Sequence, residues 1–528
     1  MPEYLSPGVY IEEVPSGPVP IEGVSTSTAG FVGQAERGPL KPRLVTSFSD
    51  YQRLYGAPTD PAISYLGFAV EGFFANGGTR AFIAHVAGQD AKAAASDDVV
   101  PGYRIEAIGP GAWGDGLYLG VEPASGARSK GDMTTFKLTA VWYAETPKTF
   151  DRTDSKAYRP PDAEEIYDNL SFDPAAPNAF LNAINGVSTL VRASLIDAKT
   201  TAAPMARPLD GSLKLEGGKD GRAIGAEDYK GSTEKDGEPI APEARTGLAS
   251  LAPIGEVSIL VVPDHHRVGV TEAVVAQCEE LTDRFAVLHF SPEQNEDLAN
   301  QSVPMDSSYA AIYAPWLRVP DPADPKGLSS LVVPPSGHIA GIYARTDLER
   351  GVHKAPANEE VKGIVMRDRG NETPLVPSID QGLQDVLNPR NINCIRDLRS
   401  EGRGIRVWGA RTMSSNDQWR YVPVRRLLIF VEQSVELATQ WVVFEPNSEY
   451  TWIRVVASVS NFLGTVWRNG ALFGATPQEA YFVKCDMTTM TPDDIDNGRL
   501  ICLVGIAPLK PAEFVIFRFT QKTIEAQS

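Results

Sequence analysis

Along this 528-residue chain the spacing of apolar positions changes rhythm several times, and the changes mark its parts. From 23 to 99, short apolar runs trade with helical spacing. Ala29-Gly30-Phe31-Val32-Gly33 reads as a strand, and residues 47–56 as a short helix opened by Ser47 and stopped at Gly56. Residues 65–74 carry helical spacing and end at Asn76-Gly77-Gly78, after which residues 81–86 form a strand. The same texture returns after 246, with strands expected at 257–263 and 285–290 around a helix at 271–283. Two such halves, 23–99 and 246–375, predict one α/β domain split by what lies between them.

Residues 100–245 are rich in Gly, Asp and Thr and hold short strands such as 136–143, which predicts an inserted β-rich outer domain. The region 376–510 has the clearest period. Leu427, Val431, Val435, Ala438 and Val442 form one helical stripe, and Trp452, Val455, Val459, Phe462 and Val466 form a second, with Asn447 or Ser448 as N-cap and Gly470 as the stop. Strands at 480–485 and 500–505 follow. Two helices on so small a sheet leave room for one or two further strands.

The chain ends suggest where such strands come from. After the break Pro508-Leu509-Lys510-Pro511, the segment 511–528 opens with a strand pattern, with Phe514, Ile516 and Arg518 on one face and Val515, Phe517 and Phe519 on the other. A strand so apolar on an open edge recruits a partner. In the arm 1–22, Val9 and Ile11 alternate against Tyr10 and Glu12, Glu13 and Val14 complete the run, and the Pro-rich segment 15–20 keeps the backbone extended. The fold class expected is therefore α/β and α+β multidomain: a split α/β middle domain, an inserted β-rich outer domain, and an inner C-terminal α+β domain whose small sheet is completed by strands from neighbouring subunits.

Composition narrows the function. A formal net charge of −18 argues against a dedicated nucleic-acid binder and against anionic membranes, while Arg420, Arg425 and Arg426 form a local basic strip. No stretch of about 18 uninterrupted apolar residues occurs, and the opening Met1-Pro2-Glu3-Tyr4-Leu5-Ser6-Pro7 lacks a signal-peptide pattern, so synthesis in the cytoplasm is the expectation. Cys278, Cys394, Cys485 and Cys502 stand too far apart in sequence for a zinc or redox motif and read as buried free thiols.

Candidate chemistry is sparse. Asp264-His265-His266 follows an apolar strand and is the only basis for an alternative function, a metal-dependent hydrolase. Adjacent residues point apart and no third ligand is suggested by spacing, so a polar loop is the expectation there. Ser336-Gly337-His338 lacks the nucleophile-elbow pattern, and Gly217-Gly218-Lys219-Asp220-Gly221 lacks the ending of a phosphate-binding loop. No catalytic, cofactor-binding or metal residues are expected.

Longer motifs then carry a resemblance. Gly404-Ile405-Arg406-Val407-Trp408-Gly409-Ala410-Arg411-Thr412, Trp419-Arg420-Tyr421-Val422-Pro423-Val424-Arg425-Arg426-Leu427, Phe444-Glu445-Pro446-Asn447 and Ala507-Pro508-Leu509-Lys510-Pro511-Ala512-Glu513-Phe514-Val515 resemble the contractile tail sheath family. That family comprises phage tail sheaths, R-type pyocins and extracellular contractile injection systems. Tyr313-Ala314-Pro315-Trp316 and the Tyr4-Leu5-Ser6-Pro7-Gly8-Val9-Tyr10 opening look like the same family. The resemblance implies a non-enzymatic, cofactor-free subunit of a helical homo-oligomer that surrounds an inner tube and meets baseplate and terminal cap proteins in a phage tail or tail-like particle. It also implies that Val9, Tyr10, Ile11, Glu12, Glu13 and Val14 and Phe514, Val515, Ile516, Phe517, Arg518 and Phe519 are strand arms linking neighbours. Arg420, Arg425 and Arg426 are the candidate contact with the inner tube.

Overall fold

The computed structural model describes residues 20–518 except 128–131, 155, 236–237, 325, 327 and 366–372. The chain divides into two compact units, 25–425 and a second made of the N-terminal residues up to 24 with 426–528. The larger unit is built on an eight-stranded sheet. Its strands in chain order are β1 (Ala29–Gly33), β2 (Arg43–Val45), β3 (Ala81–His85), β4 (Ile259–Val261), β5 (Phe285–His289), β6 (Ala310–Ala314), β7 (Ile392–Asp397) and β8 (Ile405–Val407). In space they run β8-β7-β6-β5-β4-β1-β3-β2. The six central strands pair parallel, and β2 and β8 close the two edges antiparallel.

The near-continuous apolar runs follow from burial on both faces. Val32, Ala84, Leu260, Leu288 and Ile312 face one core, where Val274, Val275 and Cys278 of a helix pack on them. On the other face the Phe31 ring meets Phe73 at 5.5 Å, and Tyr313 hydrogen-bonds Tyr343 through their hydroxyls at 2.8 Å. Helices of this unit include α1 (Phe48–Tyr55), α2 (Leu66–Ala75), the single turn α3 (His265–Val268), α4 (Thr271–Leu281) and α5 (Ser336–Arg350), and a short one at Gln381–Leu387. As the sequence predicts, the Ser47 hydroxyl caps α1 by accepting the Asp50 amide hydrogen, and Gly56 ends it at φ +89°. Helices α2 and α5 run so close that a methyl at Gly337 would collide with the Ala69 backbone.

The insertion leaves after β3 and returns before β4. It holds two three-stranded antiparallel sheets, one of them Leu117–Pro123, Phe136–Trp142 and Ala163–Leu170, around a core of its own that includes Tyr103, Leu119, Phe136 and Phe180. Ala94, Val99 and Leu215 join that core, so it begins ahead of the expected boundary at residue 100.

The boundary expected at 376 is displaced. Strand β7 pairs parallel with β6, Ile312 opposite Ile392, and β8 pairs with β7, so the sheet continues well past 376 and the unit ends at Arg425. The short β7 and β8 carry no signal of which sheet they join, and their pairing assigns them to the larger one.

The chain enters the second unit inside α6 (Val422–Ala438) and continues through α7 (Glu449–Arg468) to an antiparallel pair, β9 (Tyr481–Lys484) and β10 (Leu503–Ile506). The second predicted stripe is inside, Trp452, Val455, Val459, Phe462 and Val466 of α7 being buried, while of the first Leu427 and Val431 are buried, Val435 and Ala438 are half-buried and Val442 lies beyond the end of α6; Phe430 meets Phe462 at 5.8 Å. Residues before the sheet unit also belong here, since the Val24 amide donates to Ser434 Oγ at 3.1 Å.

Candidate assembly surfaces and a histidine cluster

Strand β9 alternates half-buried with exposed positions, placing Tyr481 and Val483 inward and Phe482 and Lys484 outward. Directly across the ladder from Phe482 stands Gly505, and the absence of a side chain there lets the ring lie over the partner strand. Phe482 is 59% exposed, and Leu503 and Val504 on β10 are exposed as well. The described residues of this sheet thus comprise two strands with an open apolar surface, a construction that is marginal on its own.

The terminal segment, expected as a strand arm for a neighbouring subunit, is not in a strand over its described residues. The Leu509 amide still donates to the Ala471 carbonyl at 3.2 Å, but residues 511–518 form no strand. Phe514, Val515, Ile516 and Phe517 are exposed on both faces rather than covered. A strand requires ladder partners, and none of the described strands supplies them. Arg518 continues this segment, while Phe519 and the arm residues Val9, Tyr10, Ile11, Glu12, Glu13 and Val14 lie outside the described residues.

The basic strip is corrected by burial. Arg425 and Arg426 are buried. The Arg425 guanidinium lies 3.6 Å from the Trp419 ring centre and 4.5 Å from that of Tyr309, and donates to Ser308 Oγ at 3.1 Å. Arg420 pairs with Asp417. Charge alone reads as surface in a sequence; stacking against two aromatic rings turned Arg425 inward instead.

The 264–266 segment is also not a polar loop. Asp264 follows β4 at the point where the sheet's winding reverses, β1 being flanked by β3 on one side and β4 on the other. Its carboxylate is fully buried and accepts from the Ser64 hydroxyl at 2.7 Å, the Tyr65 amide at 3.1 Å and the Tyr229 hydroxyl at 3.0 Å. It therefore ties the start of α2 and the returning end of the insertion to the sheet. Burial raises the Asp264 pKa, and the hydrogen bonds from Ser64 and Tyr65 oppose the rise.

His265 and His266 turn onto α3 and meet His289, the last residue of β5. The His266 Nδ1 and His289 Nε2 atoms are 3.2 Å apart, and one ring nitrogen from each of the three lies within 4.8 Å of the others. Burial pushes the His265 pKa down to about 3 and that of His266 to about 4, and holds His289 well below the usual imidazole range. All three are neutral at pH 7. His289 escapes sequence reasoning because 23 residues separate it from His266; its position at the carboxyl end of an apolar strand next to β4 is the signal that could have found it.

Exposed apolar residues on β9, β10 and residues 514–517 suit a subunit of a larger assembly. Comparison with known proteins identifies which. Residues 225–413 match the phage tail sheath protein central domain and residues 414–522 the phage tail sheath C-terminal domain, together more than half of the chain. The chain belongs to the phage tail sheath family. It is 25% identical over 283 residues to a prophage major tail sheath protein of Pseudomonas aeruginosa, covering 52% of this chain and 68% of that one. To the tail sheath protein of Salmonella phage ViI it is 23% identical over 50% of this chain and 43% of the phage protein. Its fold is that of the contracted PVC sheath of an extracellular contractile injection system, with TM-score 0.54, 24% identity and 100% of both chains covered. The contracted helical sheath of the anti-feeding prophage gives TM-score 0.55 and 24% identity over 98% and 99%. These relatives are structural sheath proteins, and none of these matches supports the hydrolase alternative at Asp264, His265 and His266. No helix among the described residues is long and apolar enough to cross a membrane.

Proposed function

We propose that this chain is the repeating subunit of a contractile sheath, polymerising helically around an inner tube and contracting to drive that tube through a target envelope. The observation that carries the reading is the open apolar surface of the second unit: a sheet with two strands among the described residues and exposed Phe482 and Val504, and an apolar segment with exposed Phe514, Val515, Ile516 and Phe517. Backbone hydrogen bonds from an added strand supply attachment, and the alternating side chains fix its register. The N-terminal segment containing Val9, Tyr10, Ile11, Glu12, Glu13 and Val14 is the second such strand, and baseplate and cap proteins bound the sleeve at its ends.

Contraction then needs no nucleotide. An extended sleeve held by the baseplate is metastable, and on release its subunits move as rigid bodies into larger contacts while the Pro-rich segments 15–20 and 505–511 keep neighbours connected. A gain of about 1 kcal/mol per subunit, the scale of one net hydrogen bond, sums over many subunits into the stroke. Deleting residues 1–15, or separately 512–528, tests the linkage by electron microscopy and circular dichroism. The expected outcome is a folded protein that forms no tubes or rings where the full chain does. Unimpaired tube formation by both deletions would sink the strand-exchange reading.

A further inference from the structure

The sleeve uses the second unit, and leaves unexplained why three neutral imidazoles converge at the carboxyl ends of β4 and β5. We propose that His265, His266 and His289 form a binding site for a zinc-class divalent metal ion, which would staple those two strand ends together. The site is built from two strands beside the winding reversal, where the loops of an open α/β sheet converge.

The geometry supports coordination by three specific atoms. Two nitrogens bound to one tetrahedral zinc, each at about 2.1 Å, stand about 3.4 Å apart. His266 Nδ1 and His289 Nε2 are already at 3.2 Å. The His289 amide donates to His265 Nε2 at 3.4 Å, which leaves the ring proton on Nδ1, donated to Thr271 Oγ1 at 2.7 Å; ligation through Nε2 would exchange that long amide bond for the metal. This is the outer-shell arrangement that fixes a ligating histidine's tautomer. The nitrogens lie within 4.8 Å of one another, so a turn of the His265 ring has at most about 1.4 Å to close. His289 Nδ1 is buried and makes no well-formed hydrogen bond, and ligation through Nε2 would place the ring proton on that atom, with the Pro263 carbonyl as an acceptor in reach. Water would take the fourth position.

The surroundings suit a borderline cation. Trp316 walls the cluster, its ring centre 5.9 Å from those of both His266 and His289, and imidazole nitrogens with no carboxylate in the first sphere favour zinc, cobalt or nickel over magnesium or calcium. Negative charge near the cluster comes from Glu293, which interacts electrostatically with His266, whereas buried Asp264 is already paired with Arg267 at 3.6 Å. Arg267 is held by its ion pair with Asp264, by the Pro61 carbonyl at 2.8 Å and by the Tyr65 ring at 4.8 Å, and its charge acts on His266 against that of Glu293. His266 is only partly buried and gives the ion its route in.

The test uses the tag-free full chain, stripped with chelator and titrated with CoCl2 and ZnCl2. We expect one equivalent of cobalt per chain with the visible bands of four-coordinate Co(II), displaced by zinc, and a thermal midpoint that rises with zinc concentration. His266→Asn and His289→Asn should abolish the bands, and Thr271→Val should weaken binding about tenfold to a hundredfold. If His289→Asn does not fold, His266→Asn, at the partly exposed position, decides the matter. Uptake far below one equivalent by the wild type, or unchanged bands in His266→Asn, overturns the proposal and leaves tube formation as a separate question.

Discussion

Asp264 shows how one residue can organise three separate pieces of chain. In the sequence it stands beside two histidines and invites a catalytic reading; in the structure its oxygens accept hydrogen bonds from Ser64, Tyr65 and Tyr229. A residue's partners come from distant parts of the chain, and no local pattern announces them. The same holds for His85 and His338, whose burial lowers each pKa to about 4 while weak bonds to the Gly38 and Gly363 carbonyls oppose the shift. Below the ordinary imidazole value of about 6.5 the unfolded chain binds protons that the folded chain does not, so stability falls as pH drops from there towards 4. Protonating either residue in the fold costs on the order of 3 kcal/mol. Urea midpoints should therefore fall between pH 7 and 4.5, above the range where a carboxylate such as Asp324, at about 2, titrates. The fall should flatten in part in His85→Gln, and an unchanged slope in that variant would refute the assignment.

Helices and central strands were the elements most open to sequence reading. Ser47, Gly56 and the stripes of α6 and α7 act through neighbours one turn away, so their spacing in the chain is their spacing in space. The crossing of α2 and α5 was not legible, because Gly337 and Ala69 are far apart in sequence and Gly337 looked like part of a loop motif. Its meaning is a close approach of two helix backbones. Gly337→Ala should cost about 1–3 kcal/mol through overpacking, read as a lower denaturant midpoint, whereas Gly217→Ala, which has open space but positive φ, is not a fair control. Gly382→Ala, near the start of a short helix with only ordinary contacts, is the better one and should be nearly neutral. Equal effects at both sites would remove the close-packing explanation.

The whole molecule differs from the expected plan mainly in where the large sheet ends. Residues 376–425 were expected with the C-terminal domain, yet β7 and β8 extend the eight-stranded sheet. A fragment spanning 25–425 should fold with a single cooperative thermal transition. One ending at 375 loses β7, exposes the edge of β6 and the core around Ile312, and should aggregate or melt without cooperativity. Circular dichroism and light scattering separate these outcomes, and a stable 25–375 fragment would show that β7 is dispensable.

By itself the sequence determined helices α1, α2, α4, α6 and α7, the split α/β plan, the β-rich interruption, the apolar chain end and, through its long motifs, the resemblance to contractile sheaths. These are properties of neighbouring residues or of extended stretches read in order. Tertiary structure alone decided that Arg425 stacks inward, that β7 belongs to the large sheet, that His289 joins His265 and His266, and that residues 511–518 form no strand among the described residues. Each of those depends on what lies across a gap in sequence. Burial and pairing are set by the residue on the other side of that gap, which a linear pattern does not contain.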